Sequence, residues 1–327
     1  MPISTRLTER LGITHPIICA PMDVIAGGKL AAAVSGAGGL GFLGGGYSDD
    51  PAWFDREFAA AGNQAVGCGF ITWALRKNPK ILDTVIGRKP KALFLSFDDP
   101  EPFASKIKAA DIPLFCQLQT RADAERAIDC GVDIIVAQGT EGGGHGGTRA
   151  TLTLVPEIAD LIAKRAPQTL LCAAGGITDG RGLAAALMLG ADGVVVGTRF
   201  WASQEALVPK SLHEAALAAV GDDTVRQSVL DIVRDRPWPA RYTGRVLRNT
   251  FVVEWLGREG ELREVKAEQI PRYQTASKAG DASVAATIVG EGVGLIHAIE
   301  PAAVIVERMV AEAEALLARG PQYLKQA

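Results

Sequence analysis

The sequence predicts an α/β fold, a closed (β/α)8 TIM barrel, and three observations carry that expectation. Eight short apolar runs recur between Pro16 and Val196, each bounded by turn residues. Helix-like segments separate the runs, the alternation that builds a parallel sheet. The runs show no polar alternation, as strands covered on both faces must not. With 327 residues, 48% of them hydrophobic, the chain is long enough to close and fill such a barrel. A doubly wound open sheet is the rival topology.

The elements follow in order. Pro16 to Ala20 is the first strand, and Lys29 to Val34 its helix. Gly39 to Leu43 comes next, then a helix opened by Asp50-Pro51, proline being suited to a first helical position. Ala65 to Phe70 is the third strand, with the helix Asn78 to Ile86; Lys91 to Phe97 is the fourth, with Glu101 to Ala110. Pro113 to Leu118 precedes the helix Arg121 to Cys130, which Gly131 stops. Asp133 to Gln138 leads into a long glycine-rich loop and the helix Pro156 to Arg165. Thr169 to Ala173 pairs with the helix Gly182 to Leu189, and Gly193 to Val196 is the eighth strand.

Beyond Arg199 the rhythm breaks. Residues 200–281 hold Trp201, Trp238 and Trp255 but no βα repeat. They are expected to form an inserted, mostly helical cap on a barrel made of residues 1–199 and 282–327. Ser283 to Val289 and Ala302 to Leu317 read as the closing helices, Pro301 starting the second. The cap would shape a pocket or, through its tryptophans, a homo-oligomer interface.

Composition excludes several classes. A net charge of −3 without a basic stripe speaks against nucleic acid. No apolar run reaches the ~18 residues of a membrane span. Cys19, Cys68, Cys116, Cys130 and Cys172 form no C-x-x-C pair, so reduced, mostly buried thiols are expected. With no basic segment and apolar stretch opening the chain, a cytoplasmic protein is expected. No His or Cys has metal-ligand spacing, so no metal site is expected, and no serine elbow follows a strand. Gly36-Ala37-Gly38-Gly39-Leu40-Gly41 matches G-x-G-x-x-G, but a helix precedes it and a strand follows. The dinucleotide mechanism needs the reverse order, so this is a helix stop and a tight turn.

Barrels place their chemistry at the C-terminal ends of the strands. There this sequence puts Ala20-Pro21-Met22, Gly69, Gln117, the run from Gln138 through Gly143 and Gly144 to Gly147, Gly175-Gly176 and Gly197-Thr198. The last two pairs end strands seven and eight, where glycines let main-chain N–H groups approach a phosphate and a hydroxyl adds a donor. Gln117 and Gln138 can each donate and accept, which suits a heteroaromatic ring edge. Among four histidines, only His145 falls in a loop of the catalytic face, where it can exchange a proton near neutrality.

Cys19-Ala20-Pro21-Met22, Gln138 to Gly147, Ala174 to Gly182, Gly190 to Phe200 and Gly290 to Ile296 together resemble the nitronate monooxygenase family, also called 2-nitropropane dioxygenases. The resemblance spans almost the whole chain, and the Gln-Gly-Thr-Glu-Gly-Gly-Gly-His run is its most specific part. It implies a TIM barrel with bound FMN that oxidises alkyl nitronates, or nitroalkanes, with O2 to a carbonyl compound and nitrite. By the same resemblance Gln138, Gly143 and Gly176 contact FMN. Val195, Val196, Gly197 and Thr198 line its phosphate or ring edge, Met22 lies beside the flavin, and His145 is the catalytic base. Where many bacterial members carry an FMN-contacting Asn at the end of strand three, this chain has Gly69, with Thr72 the nearest hydroxyl. The Gly-Gly-His signature is shared with FMN-dependent NAD(P)H reductases acting on enoyl thioesters or quinones, which keeps that alternative open. A barrel that binds FMN or another phosphate ligand without turnover is the third.

Overall fold

The computed structural model describes residues 2–47 and 50–323. Eight parallel strands form one sheet: β1 (Ile17–Cys19), β2 (Phe42–Gly46), β3 (Gly67–Ile71), β4 (Leu93–Ser96), β5 (Leu114–Leu118), β6 (Ile134–Gln138), β8 (Leu170–Ala174) and β9 (Gly193–Val196). β7 (Gly144–Gly146) lies in the glycine-rich loop, outside this sheet. The order β1-β9-β8-β6-β5-β4-β3-β2 makes every crossover a neighbour step except at β1, which joins β9. Closure between β1 and the chain just before β2 is a single parallel bridge, Ile18 to Leu40. Around it the Leu40 N–H donates to Ile17 O and the Cys19 N–H to Leu40 O, both at 3.0 Å. The barrel expectation holds, and every predicted strand has its counterpart.

Burial on both faces explains the unbroken apolar runs. Ile18, Phe42, Phe94, Phe115, Val136 and Val195 fill the barrel interior. Phe42 meets Phe94 and Phe115 edge-on, with centroids 5.5 and 5.2 Å apart. Leu7 and Leu11 of the helix Arg6–Leu11 belong to this interior cluster. Alternate residues, such as Ile17, Cys19 and Val196, face the outer layer of helices. The Gly36–Gly41 run is a turn between helix and strand: Gly38 has φ +91, and a Cβ at Gly41 would lie 2.0 Å from Ala31 O. Only glycine permits that approach.

Beyond the barrel strands, the helices Lys210–Leu217, Val229–Val233, Thr250–Trp255, Glu259–Glu264 and Lys266–Ala279 are accompanied by β10 (Thr224–Gln227) and β11 (Thr243–Leu247). Val229, Val246, Phe251, Trp255 and Leu262 share a core of their own. The sequence reading lacked the small antiparallel sheet β10-β11-β7, in which His145 on β7 lies opposite Gly244 on β11.

Two helix expectations need correction. Ser283–Val289 is not helical. Asp281 Oδ1 accepts from the Ser283 N–H at 2.9 Å and makes a turn. The chain then runs extended, so that Thr287 O accepts from Leu247 N and Gly290 N–H donates to Thr198 Oγ1. The helix placed at Pro156–Arg165 begins earlier, at Thr151, because the Glu141 carboxylate accepts from the Thr151 N–H at 3.0 Å.

Candidate active site

A cavity with about 1260 Å3 of space between atoms opens at the C-terminal ends of the barrel strands. Of the residues expected at the site, Ala20, Pro21, Met22, Gln117, Gln138, Gly143, Gly144, His145, Gly175, Gly176, Val195, Gly197 and Thr198 line it. Two do not. Val196 points to the outer helical layer, because successive strand residues face opposite sides and Val195 takes the inward place. Gly69 faces inward but lies under Pro21, whose Cβ would be 2.4 Å from a Cβ at that position. Thr72 is fully buried, its hydroxyl without a partner, and is also outside the lining.

The glycine turns keep side chains away from one wall. Gly175 and Gly176 have φ +99 and +73, a conformation that β-carbons disfavour. A Cβ at Gly197 would meet nothing closer than Ala20 Cβ at 3.8 Å, so the main chain there faces open space. Beside this wall, Gly143 and Gly290 touch backbone to backbone, with a Cβ at Gly143 only 2.6 Å from Gly290 N, which itself donates to Thr198 Oγ1.

Gln138 is more committed than its place suggests. Its Oε1 accepts from Gln117 Nε2 at 3.0 Å and Gln119 Nε2 at 2.7 Å, and its Nε2 donates to His145 O at 3.1 Å. It therefore holds the loop and keeps one N–H for a ligand, while Gln117 Oε1 stays available as an acceptor. Two arginines pin the same loop: Arg226 Nη2 and Arg245 Nε each donate to Thr140 O at 3.0 Å. Burial and the neighbouring Arg245 lower the Arg226 guanidinium to about 10, so it remains charged near neutrality.

His145 lines the same cavity. Its Nε2 lies 3.0 Å from both carboxylate oxygens of Asp231. With Asp231 ionised, Nε2 carries a proton and Nδ1 keeps a lone pair. The Trp238 indole stacks on the imidazole, centroids 3.5 Å apart and planes 6° apart. Trp238 Nε1 donates to Tyr47 Oη, and Phe97 packs edge-on against both rings. Burial, opposed by the Asp231 hydrogen bond and charge, holds the imidazole below its ordinary value of 6.5, so it is neutral and basic at pH 7. Arg234 also lines the cavity; its backbone N–H donates to Leu230 O, while its side chain, among the described residues, makes no hydrogen bond or ion pair. Asp23 carries a carboxyl raised by burial. Sequence reasoning missed Asp231, Trp238 and Arg234. The Arg236-Pro237-Trp238 run was visible, but nothing local connected it to His145.

The model of the family described as nitronate monooxygenase matches residues 4–56 and 59–312. The chain is 34% identical to the nitronate monooxygenase of Neurospora crassa, over 91% of this chain and 89% of that protein. It is 31% identical to a 5-hydroxy-7a-methyl-1-oxo-octahydro-indene-4-carboxyl-CoA dehydrogenase of Rhodococcus jostii, over 90% of this chain and 78% of that one. Among solved structures, FabK of Thermotoga maritima superposes with a TM-score of 0.85 at 28% identity, covering 98% of this chain and all (100%) of the other. Nitroalkane oxidase of Streptomyces ansochromogenes gives 0.74 at 25% identity, covering 93% and 98%. No helix among the described residues is long and apolar enough to cross a membrane. The match over nearly the whole chain, together with the strand-end geometry, makes this chain a member of the nitronate monooxygenase family of oxidoreductases.

Proposed function

We propose that the protein oxidises alkyl nitronates with FMN and O2, giving a carbonyl compound and nitrite, and accepts neutral nitroalkanes through its own base. The observation that carries this reading is a buried His145, hydrogen-bonded to Asp231, in a cavity lined also by glycine backbone. The residues fit FMN in two ways. Gly175-Gly176 and Gly197-Thr198 offer main chain unshielded by side chains to a phosphate, and Ala20-Pro21-Met22, Ala174 and Val195 offer an apolar surface to a flat ring. Bound there, FMN would supply the two-electron redox chemistry that no side chain can.

The chain's own residues do the rest. His145 Nδ1 accepts the α-proton of a nitroalkane, and Asp231 stabilises the imidazolium that forms. Arg234 offers a positive charge to the resulting anion. Trp238, Phe97 and Tyr47 exclude water from the reacting carbon. The test is an absorption spectrum of the purified protein followed by nitrite release from ethylnitronate. Flavin bands and nitrite are expected; a colourless protein that stays colourless with FMN overturns the reading. The FabK likeness favours a second reading, an NAD(P)H-dependent flavin reductase. Rapid anaerobic bleaching by NADPH without nitrite release would select it.

Asp231→Asn separates the roles in the base. The hydrogen bond and negative charge that raise the imidazole value both weaken, while burial remains. We expect kcat/KM for nitroethane to fall ~10²-fold. The acid limb of its pH profile should move to lower pH, since activity is lost as pH falls through the His145 value. A limb that does not move assigns it to another group.

A further inference from the structure

We infer that a second cleft, on the outer side of Trp238, binds the phosphates of a nucleotide-bearing substrate or cosubstrate whose reactive end enters the catalytic cavity past that indole. The cleft is open to solvent and spans about 1240 Å3 of space between atoms. Trp238 lines both it and the catalytic cavity, and Asp231, which holds His145, lines its inner end. The two spaces therefore share the Trp238 ring as a wall.

The charges around the cleft are unbalanced. Lys77, Arg236, Arg263 and Lys266 line it, against Asp231 and Asp235. Asp235 is taken by Lys266 at 3.2 Å, and Asp231 by His145. Among the described residues, Lys77, Arg236 and Arg263 have no carboxylate within salt-bridge distance, although Arg236 acts on Asp23 through space: Lys77 sits over the Trp73 ring, Arg236 over Tyr47, and Arg263 donates to Glu259 O. The indole N–H of Trp73, in the adjoining cavity that Lys77 and Arg236 also line, is buried without an acceptor. Three cations without a carboxylate in salt-bridge range select a ligand rich in oxygen acceptors and negative charge. A pyrophosphate supplies both. In a chain of net charge −3, this local excess is not a general property of the surface.

This site deepens the proposed oxidoreductase reading and rests on it for the identity of the adjoining cavity. The probe is ADP, titrated calorimetrically into the purified protein with FMN at saturation, so that the phosphate turns of the barrel are not the site reported. ADP should bind, with affinity falling as salt rises. Lys77→Gln combined with Arg263→Gln should weaken it at least ~10-fold, about 1.4 kcal/mol. Lys89→Gln combined with Lys164→Gln removes the same charge elsewhere and should leave binding unchanged. No ADP binding, or equal losses in the two double variants, overturns the inference. Coenzyme A and NADPH identify the source of the handle: whichever binds more tightly than ADP carries the part that reaches past Trp238. Nitrite release from ethylnitronate, measured on the same preparation, keeps the readings apart. Nitrite without ADP binding defeats only this inference, and ADP binding without nitrite defeats only the nitronate reading.

Discussion

Replacing His145 by Asn is expected to lower turnover of neutral nitroethane by ~10²–10⁴-fold, the range of a lost general base. Ethylnitronate should suffer much less. Its carbon is already deprotonated, so the step that Nδ1 performs is absent. Asn keeps a polar side chain that can still meet Asp231, so the β7–β11 pairing should survive, since it is made by the backbone. Flavin content should not change, because the glycine turns lie on other strands. The measurement is kcat/KM for both substrates on protein of equal flavin content. Equal losses would make His145 an electrostatic or positioning group rather than a base. Undiminished turnover of both would make it a structural loop residue.

Gly176→Val should abolish retention of FMN while the barrel still folds. At φ +73 a β-branched side chain is strained by ~1–3 kcal/mol. The new Cβ would lie 3.2 Å from Glu141 Cβ, and Glu141 cannot yield readily because its carboxylate starts the helix Thr151–Arg165. The added methyls therefore occupy the space that a phosphate would need. Titration of the apo variant should show FMN affinity reduced at least ~10²-fold, about 2.7 kcal/mol. Circular dichroism should stay native, with a lower Tm from the strain. Gly176→Ala carries similar backbone strain with less bulk and should retain more flavin. If the valine variant holds stoichiometric FMN, the phosphate sits elsewhere.

The sequence was most legible where burial is two-sided. Strands such as Ile134–Gln138 and Leu170–Ala174 stand out because every position is apolar or closes the run. His145 was legible because it is the one histidine among glycines at a strand end. Its partners were not, since Asp231 lies 86 residues away and is brought close by tertiary contacts, the β7–β11 pairing and the Arg226 and Arg245 bonds to Thr140 O. A Gly-His-Gly strand carries no strand propensity of its own; the pairing is tertiary. Ser283–Val289 misled because the Ala285-Ala286 pair suits a helix, although Val284, Thr287, Ile288 and Val289 are β-branched. Contact with Thr198, Leu247 and Gly143 overrode that local preference. Val196 was misplaced by reading a motif as a block, when its strand turns alternate residues to opposite faces.

Asp231 has a further consequence. His145, the proposed base, stands in a barrel loop, but the carboxylate bonded to it and the indole that covers it come from the segment after the barrel strands. Variation in that segment therefore alters which molecules fit and how strongly they are deprotonated at the same stroke. A graft of the stretch from β10 to β11 between relatives would transfer acidity range and size selectivity as one inherited trait. A mutational search confined to the barrel would reach neither.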